Sequence, residues 1–372
     1  MGNGELKVEK VSIRFFNDRE VRTVWDEENS KRRFLTHSVP SPTSTKRRFN
    51  NMKKQLVAVT LDIQDLIKNY PPEYSCKNKK TKFEQALCLH KKQTGKIGVS
   101  RWKFAESQSP FAKNDVFVKF CDEYFSYDDA DTADTKVYYL NYADPNLFGY
   151  YDSDLFAQDE IQTLEHPLLG SVMEYIDKNE TSVLKSLTEE KGEPTPYIVE
   201  GAPYWLKVVT NPTLPTGEKL NLYGRNFCRA SKEILDIAVT PIKEERANNI
   251  IALAAPALGS GEYKRKHIEQ ILKAVIASFS AALSLADTKK CVIHTGNWGA
   301  GAFGNNRELI YLAQLVGTSV AGGAELVFHA IDEDDFAEAK KKFDDWNGST
   351  DFAECIDFFV NQHYHWACGD GN

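Results

Sequence analysis

The stretch HTGNWGAGAFGNNRELIYLAQL, from His294 to Leu315, is the most informative segment of the chain. It follows a short apolar run that is typical of a buried strand, and it leads into a helical pattern. Between the two, Gly299, Gly301 and Gly304 follow the spacing G-x-G-x-x-G of dinucleotide-binding turns. The spacing alone is a weak signal, so its meaning depends on the sequence around it.

The turn between this strand and this helix has the chemistry of a phosphate site. Backbone N–H groups at a helix N-terminus, together with the positive end of the helix dipole, suit a phosphate or a pyrophosphate. Glycines let the backbone approach the anion without a Cβ clash, and either Asn305 or Asn306 could cap the helix. We therefore predict that the turn binds phosphate; a glycine-rich turn that only packs tightly is the structural alternative.

A dinucleotide-binding Rossmann domain fits the turn locally, because Asp332 ends the next predicted strand and could hold a ribose. However, only 68 residues follow Gly304, which is too few to complete such a domain unless earlier strands join the sheet in an unusual order. The aromatic residues Trp298 and Phe303 also have no role in a Rossmann turn. A nicotinamide-dependent oxidoreductase therefore remains a minor alternative.

Strand and helix patterns alternate through the last two thirds of the chain. Strands are predicted at 136–142, within 197–209, and at 249–254, 290–293 and 325–331. Helices are predicted at 159–164, 263–285 and 306–320. Strands and helices that alternate with short connections indicate an α/β fold, in which helices cover a largely parallel sheet.

The N-terminal third differs in composition. Residues 31–54 contain eight Lys or Arg and no acidic residue, and a solvated loop is favoured there over a nuclear address or an anionic-surface patch. The segments FEQALCLH and VFVKFCDEYF are predicted as amphipathic helices. We predict an N-terminal segment with a basic linker at 1–54, a helical accessory region at 55–130 and a catalytic domain at 131–372.

Composition and charge narrow the classes of function. The 372-residue chain is 42% hydrophobic and 27% charged, as soluble globular proteins are, and its net charge of −7 argues against general nucleic-acid binding. No apolar run reaches the roughly 20 residues of a membrane span, and the first residues lack the apolar core of a signal peptide. We therefore expect no membrane partner and no specific nucleic-acid partner. We also expect a monomer in the cytoplasm, with a nuclear or secreted location left open.

The cysteines and histidines predict neither a disulfide framework nor a metal site. Seven cysteines at scattered spacings indicate reduced thiols. His363, His365 and Cys368 lie close together near the C-terminus, but a polar surface segment is the favoured interpretation over a metal site. We expect no metal and no cofactor.

A second motif opens the helix predicted at 159–164. It reads Gln158-Asp159-Glu160-Ile161, and the stretch Glu165-His166-Pro167-Leu168 follows. Together with TGNWGAGAFGN at 295–305, this motif resembles the poly(ADP-ribose) glycohydrolase family of macrodomains, which has a Gln-Glu-Glu triplet, an NPEL-like stretch and a TGNWGCGAFGGD turn. The resemblance covers roughly residues 135 to 335. It implies a macrodomain-like three-layer α/β/α fold with a mixed, largely parallel sheet, preceded by a mainly helical accessory region.

The chain departs from this family where the ribose next to the scissile bond would bind. The family has three consecutive glycines before its triplet, whereas this chain keeps only Gly149. The first triplet glutamate is replaced by Asp159, and the nearest counterparts of an Asn that precedes the glycines are Asp144 and Asn146. The resemblance therefore implies an intact pyrophosphate half and a rebuilt distal-ribose half, which could exclude a polymer and admit another ADP-ribosyl substrate.

The resemblance also assigns roles to residues. Glu160 would act in turn as acid and base through an oxocarbenium-like state, with its pKa raised by burial and by its acidic neighbour. Asp159 would bind ribose hydroxyls or orient the reacting group. The residues implied to bind ADP-ribose are Gln158, Gly149, Asn297, Gly299, Ala300, Gly301, Ala302, Phe303, Gly304 and Phe328.

Several aromatic residues have two open interpretations. Trp298 is expected in the core, and Phe328 could pack in the core as readily as line the adenine site. Tyr223 and Phe227 lie in the region where the family places a Tyr-bearing hairpin over the adenine, so stacking is possible there.

The predicted function is an ADP-ribosyl glycohydrolase that removes ADP-ribose from modified proteins or from poly(ADP-ribose). The first alternative is a catalytically inactive macrodomain that binds ADP-ribose, and the second is the oxidoreductase. The lost glycines favour the inactive reader, whereas the retained Glu160 favours the enzyme. The expected partner is ADP-ribose or an ADP-ribosylated protein.

Overall fold

A computed structural model describes the strand backbone at 12–16, 19–26 and 31–35, and residues 52–107, 111–348 and 351–369 in full. Residues 1–47 and 48–372 form two units. In the first unit an antiparallel sheet has the order β1 (Ser12–Phe16), β2 (Arg19–Asp26) and β3 (Lys31–Leu35). The predicted basic linker therefore begins with strand β3, and its part at 36–51 lies outside the described residues.

The second unit is built on one large sheet. Its described strands are β4 (Lys53–Asp62), β5 (Lys96–Phe104), β6 (Phe117–Cys121), β7 (Thr135–Ala143), β8 (Glu189–Glu190), β9 (Glu193–Pro194), β10 (Tyr197–Pro203), β11 (Leu206–Val208), β12 (Val239–Pro241), β13 (Ala247–Ala254), β14 (Lys290–Thr295) and β15 (Glu325–His329). Eight of them pair in the order β4-β5-β10-β13-β7-β14-β15-β6. The five strands from β13 to β6 are parallel, and the pairings from β4 to β13 are antiparallel. The predicted mixed, largely parallel sheet is confirmed.

Helices cover both faces of this sheet. They are α1 (Ile63–Asn69), α2 (Lys77–His90), α3 (Gln158–Glu165), α4 (Leu168–Lys178), α5 (Asn226–Arg229), α6 (Lys232–Ala238), α7 (Arg265–Ala286), α8 (Arg307–Ala321), α9 (Glu333–Asp345) and α10 (Phe352–Val360). Successive side chains of a strand point to opposite faces. Thus Tyr138 and Leu140 join the core formed with α7 to α10, whereas Val137 and Tyr139 join the core formed with α1 to α4. The α/β/α layering is confirmed.

Helix α7 is the central helix of one layer. Its apolar residues recur at the helical period, so that side chains such as Ile268, Leu272 and Val275 are buried. By length and composition it is the one helix in the described part of the chain that could cross a membrane. However, 72% of its apolar stretch is buried inside the protein, as in the core helix of an α/β fold.

The structure differs from the prediction for residues 55–130. The segment FEQALCLH lies in α2 as expected, but VFVKFCDEYF contains strand β6, which pairs with β15. Val118 and Phe120 pack on one core and Cys121 on the other, so the segment alternates with the period of a strand. Strands β4 and β5 join the same sheet, so residues 55–130 supply strands as well as helices to the unit at 48–372.

The cysteines also differ from the prediction of reduced thiols. Cys76, which precedes α2, forms a disulfide with Cys228 in α5, 152 residues further along the chain. The other five cysteines form no disulfide with any residue that the structure describes. A disulfide across so long a loop stabilises the fold mainly by restricting the unfolded chain.

Candidate active site

The two sequence motifs lie at one edge of the sheet. Strands β7 and β14 are parallel neighbours, and their register pairs Tyr139 with His294. Strand β7 leads through residues 144–157 to α3, which begins with the triplet, and β14 leads into the glycine turn at 296–306. The carboxyl ends of parallel strands are where open α/β sheets bind ligands. Strand order therefore brings together two motifs that are far apart in sequence.

Tyr142, near the end of β7, contacts both motifs. Its backbone N–H donates to Gln158 Oε1 at 2.7 Å. Its hydroxyl lies 2.7 Å from the position that a Cβ on Gly296 would occupy, so this close approach requires glycine at 296. Sequence analysis missed Tyr142, because an aromatic residue within a strand is more often part of a core.

The first two triplet residues are held by β7. Gln158 Nε2 donates to the Leu140 carbonyl at 3.0 Å, so both ends of this amide bond the strand backbone. Asp159 is buried, and its Oδ1 accepts from Asn141 Nδ2 at 2.9 Å. Asn141 was not predicted as a site residue, although a polar side chain in the apolar strand KVYYLNYA was a usable signal.

Glu160 is also buried, with 3% of its surface exposed. Its Oε2 accepts from the Ala157 N–H at 2.9 Å. Burial raises the pKa of Glu160, while this backbone bond and the charge of Lys79 oppose the rise. Burial and the neighbouring Glu160 raise the pKa of Asp159 well above its usual value. Burial therefore favours the protonated form of both carboxyl groups, and a protonated carboxyl is what acid catalysis requires.

The glycine turn presents backbone donors next to the N-terminus of α8. The turn closes on itself where the Asn305 N–H donates to the Gly299 carbonyl at 3.1 Å. The N–H groups of Gly301, Ala302 and Phe303 donate to no residue that the structure describes. These three amides, beside the positive end of the α8 dipole, suit an anion.

The two asparagines that could cap α8 have separate roles. Asn306 is the cap, since its side chain accepts from the Leu309 N–H at 3.0 Å. Asn305 is fully buried, and its Nδ2 donates to the carbonyls of Pro256 at 2.7 Å and Gly299 at 2.9 Å. Asn305 therefore fixes the shape of the turn.

Other predicted ligand residues support the turn or lie apart from it. The Asn297 side chain donates to the Ala330 carbonyl at 2.9 Å and accepts from the Tyr311 hydroxyl, and the Asn297 carbonyl accepts from the Ala300 N–H at 2.9 Å. Gly149 lies in the loop before the triplet, where its N–H donates to the Asn146 carbonyl at 3.0 Å. Phe303 is partly buried against the core.

The C-terminal segment packs against the glycine turn. The Ala367 N–H donates to the Gly304 carbonyl at 3.0 Å, and Trp366 stacks on Tyr263 with ring centroids 4.3 Å apart. The Tyr263 hydroxyl in turn donates to Asn305 Oδ1 at 2.9 Å. Among residues 52–107, 111–348 and 351–369, no group of three or more His, Cys, Asp or Glu is arranged to hold a metal.

The structure places Phe328 in the core rather than at a ligand site. Its side chain is fully buried. It points toward the layer of α8 and α9, where it makes edge-to-face contacts with Phe336 at 5.0 Å and Tyr311 at 5.8 Å between centroids. Trp298 lies in the same core, as expected, with Nε1 donating to the Leu253 carbonyl at 3.0 Å.

Replacing Phe328 with Ala should destabilise the protein by about 3–5 kcal/mol, because the cavity would lie inside a packed core. The affinity of the folded fraction for ADP-ribose should change little. Chemical denaturation and calorimetric titration would measure the two effects. A loss of affinity without a loss of stability would instead place Phe328 at the ligand.

Phe227 is likewise unavailable for stacking on an adenine, since it is buried and stacks on Phe156 with centroids 3.9 Å apart. Tyr223 is partly buried. Its phenol lies near enough to Tyr142 to add to the effect of burial, which is the main cause of the raised Tyr142 pKa.

The stretch that follows the triplet is structural. Glu165 is buried, and its Oε1 accepts from the Val208 N–H at 2.9 Å. Burial raises the pKa of Glu165 to about 8 and lowers that of His166 to about 3. Both side chains are therefore neutral in the folded protein near pH 7. Through Glu165 the end of α3 is bonded to strand β11.

The raised pKa of Glu165 predicts a pH dependence of stability. Between its unfolded value of 4.5 and about 8, the folded state holds a proton that the unfolded state has lost. The free energy of unfolding should therefore fall as pH rises through this range, by up to about 1.4 kcal/mol per pH unit from this group. Glu165→Gln should flatten the slope, whereas the exposed control Glu180→Gln should not. Parallel unfolding curves for Glu165→Gln and the wild type would contradict this prediction.

Among the comparisons with known proteins, a family model matches the part of the chain that contains the glycine turn. Residues 219–338 match the family model described as "Poly (ADP-ribose) glycohydrolase (PARG), Macro domain fold". The match includes strands β13 to β15 with the turn, and it begins after the triplet. No curated protein matches the chain.

Among solved structures, similar chains are bacterial poly(ADP-ribose) glycohydrolases. A mutant from Thermomonospora curvata is 14% identical over 60% of this chain and 79% of its own, with a TM-score of 0.38. The same enzyme bound to the inhibitor ADP-HPD is 16% identical over 61% and 79%, with a TM-score of 0.37. The enzyme from Deinococcus radiodurans in complex with ADP-ribose is 13% identical over 77% and 100%, with a TM-score of 0.36.

Proposed function

We propose that this chain is an ADP-ribosyl glycohydrolase, because residues 219–338 match the family model of poly(ADP-ribose) glycohydrolases of macro domain fold. Its substrate would be ADP-ribose linked through oxygen to a modified protein or within poly(ADP-ribose). One observation carries the proposal. Two buried carboxyl groups share one edge of the sheet with a turn that has three N–H groups without a partner among the described residues, and Tyr142 contacts both motifs.

The glycine turn would bind the pyrophosphate. The amides of Gly301, Ala302 and Phe303 supply donors, and the α8 dipole adds a favourable field. Asn305 and Asn297 hold the turn in place through their side chains. A turn that is already rigid loses little entropy when it binds its ligand.

The triplet would carry the chemistry. Protonated Glu160 would donate its proton to the leaving oxygen as the bond to the ribose anomeric carbon breaks. The resulting carboxylate would then take a proton from the water that attacks this carbon, which restores the acid. Asp159, fixed by Asn141, would hold the ribose hydroxyls or the reacting water.

The loop at 144–157 bears on the choice of substrate. Where the family has three glycines, this loop buries Leu147 and Phe148 in the core below it and exposes nearly half of Tyr150. A loop with bulky side chains leaves less room for a second ribose than a glycine backbone does. We therefore propose that single protein-linked ADP-ribose units are preferred over chains.

A specific observation favours a second candidate, a macrodomain that binds ADP-ribose without cutting it. Glu160 bonds the backbone N–H of Ala157, three residues before it, as a purely structural helix-capping Glu would. The oxidoreductase alternative depended on the glycine spacing, and this turn lies within the residues that match the macro-domain family model.

The test combines binding with turnover. ADP-ribose would be titrated calorimetrically into the wild-type protein, and ADP-ribose release would be followed from substrates that carry single units or chains. Binding with release supports the hydrolase, and faster release from single units supports the proposed preference. Binding without release supports the reader, and absence of binding would contradict both.

Location and oligomeric state remain predictions. The Cys76–Cys228 disulfide weighs against the cytoplasm, because structural disulfides persist mainly in oxidising compartments. The monomer can be tested by light scattering of the purified chain.

A further inference from the structure

Helix α2 places a buried lysine next to the loop that carries the triplet. Lys79 is fully buried. Its Nζ donates to the carbonyls of Tyr151 at 3.0 Å and Leu155 at 2.7 Å. Both carbonyls belong to the loop at 144–157, so one ammonium group fastens that loop at two points just before α3 begins.

The same end of α2 holds the loop in other ways. The N–H groups of Ser75 and Cys76 donate to the Asp152 carbonyl at 3.1 and 2.9 Å. Lys79 Nζ also lies 5.8 Å from the centroid of the Phe156 ring. The loop would therefore stay attached to α2 even if Lys79 were replaced by an apolar residue of similar length.

The charge of Lys79 needs a separate explanation. Within the described residues, its Nζ forms no ion pair within 4.0 Å, although Glu160, Asp152, Asp159 and Asp154 lie near enough to influence it. Burial lowers the pKa of Lys79 to about 8, and Glu160 is the largest opposing influence. A buried charge costs free energy that an apolar side chain of similar volume would not. The positive charge of Lys79 is therefore explained by its effect on the neighbouring carboxylates rather than by packing.

We propose that Lys79 is a positioning residue of the glycosidase centre, which fixes the loop before the triplet and stabilises the carboxylate of Glu160 after it has given up its proton. This inference rests on the proposed function. As the glycosidic bond breaks, Glu160 becomes an anion in a buried site, and the Lys79 cation, held by the Tyr151 and Leu155 carbonyls just before α3, favours that state. The same cation holds Glu160 ready as the base for the attacking water.

The charges that face Glu160 set the expected effect on pH dependence. Asp159 and Glu160 form a buried pair at the start of α3. The charge of Asp144, on the preceding loop, disfavours the ionisation of both, and Glu160 disfavours that of Asp159. The charge of Lys79 favours the ionisation of both. Removing the lysine charge should therefore raise the pKa of Glu160. Because the reaction begins with protonated Glu160, activity is lost as pH rises through the Glu160 pKa, so the alkaline limb of the pH–rate profile should move to higher pH.

The experiment compares Lys79→Met, Lys79→Arg and the exposed control Lys80→Met. For Lys79→Met we expect the alkaline limb of kcat/KM to move up by about one pH unit, kcat to fall about tenfold or more, and the affinity for ADP-ribose to stay within about threefold. Lys79→Arg keeps the charge, so the alkaline limb of its kcat/KM profile should match that of the wild type. The profile of Lys80→Met should also match. A kcat/KM profile of Lys79→Met with its alkaline limb at the wild-type pH would overturn the proposal. If this variant does not fold, a shifted limb in Lys79→Arg overturns it.

A second readout does not depend on turnover. Carbon-13 NMR of labelled glutamate carboxyls would follow the titration of Glu160, assigned by its loss in Glu160→Gln. A higher Glu160 pKa in Lys79→Met than in the wild type supports the proposal, and equal values overturn it. Wild-type protein that releases no ADP-ribose would instead contradict the proposed hydrolase, so the two failures are distinct.

Discussion

Glu160→Gln should lower the rate of ADP-ribose release by about 10²–10⁴-fold, the usual contribution of a general acid–base group. Gln has nearly the same shape but can neither donate an acidic proton nor accept one from water. Its side-chain oxygen can still accept from the Ala157 N–H, as Glu160 does at 2.9 Å. The start of α3 should therefore keep its structure, and ADP-ribose binding should stay within a few fold.

The control for this prediction is Glu180→Gln, which makes the same chemical change at an exposed position on the protein surface. Release assays and calorimetric titration on both variants separate catalysis from binding. Wild-type turnover by Glu160→Gln would show that another group is the acid, and Asp159 would be tested next. Loss of binding together with turnover would mean that Glu160 holds the ligand rather than the reacting proton.

Ala302→Asp should weaken ADP-ribose binding by about 100-fold or more. Ala302 is the middle one of the three turn residues whose N–H groups have no partner among the described residues, and its side chain is only partly buried. A carboxylate there would face the pyrophosphate at close range, where like charges in a partly shielded site cost several kcal/mol. It could also accept hydrogen bonds from the amides that the ligand needs.

Ala302→Asn is the matched variant, because it has nearly the same size and no charge. It should weaken binding far less than Ala302→Asp, and the difference between the two should shrink as salt concentration rises. Equal effects of Asn and Asp would mean that shape, not charge, matters at this position. Wild-type affinity in Ala302→Asp would contradict an anion site at the turn.

Much of the fold could be predicted because its signals are local. The α/β alternation from β7 to β15 follows from hydrophobic periods within each segment, and the caps and glycines of the 294–315 stretch act on neighbouring residues. Strand β6 was predicted as a helix, because VFVKFCDEYF fits both periods when it is read alone. Its conformation is decided by pairing with β15, which lies more than 200 residues further along the chain.

Only part of the candidate site could be predicted from local sequence signals. The triplet and the turn were found as motifs, and their chemistry follows from residue types. Asn141, Tyr142 and Lys79 were missed, because each acts through a contact with a partner that is distant in sequence. For Phe328 the sequence left core packing and the adenine site equally open, and the side-chain alternation of β15 directs it into the core.

The sequence by itself therefore determined the α/β class, the glycine-rich turn before a helix and the acidic triplet, since each depends on residues within one or two turns or strands. Only the tertiary structure decided which residues surround Glu160, that Cys76 pairs with Cys228 and that β4 to β6 extend the main sheet. The physical reason is that burial, pKa shifts and charge contacts depend on distance in space. That distance is set by strand order and helix packing rather than by spacing along the chain.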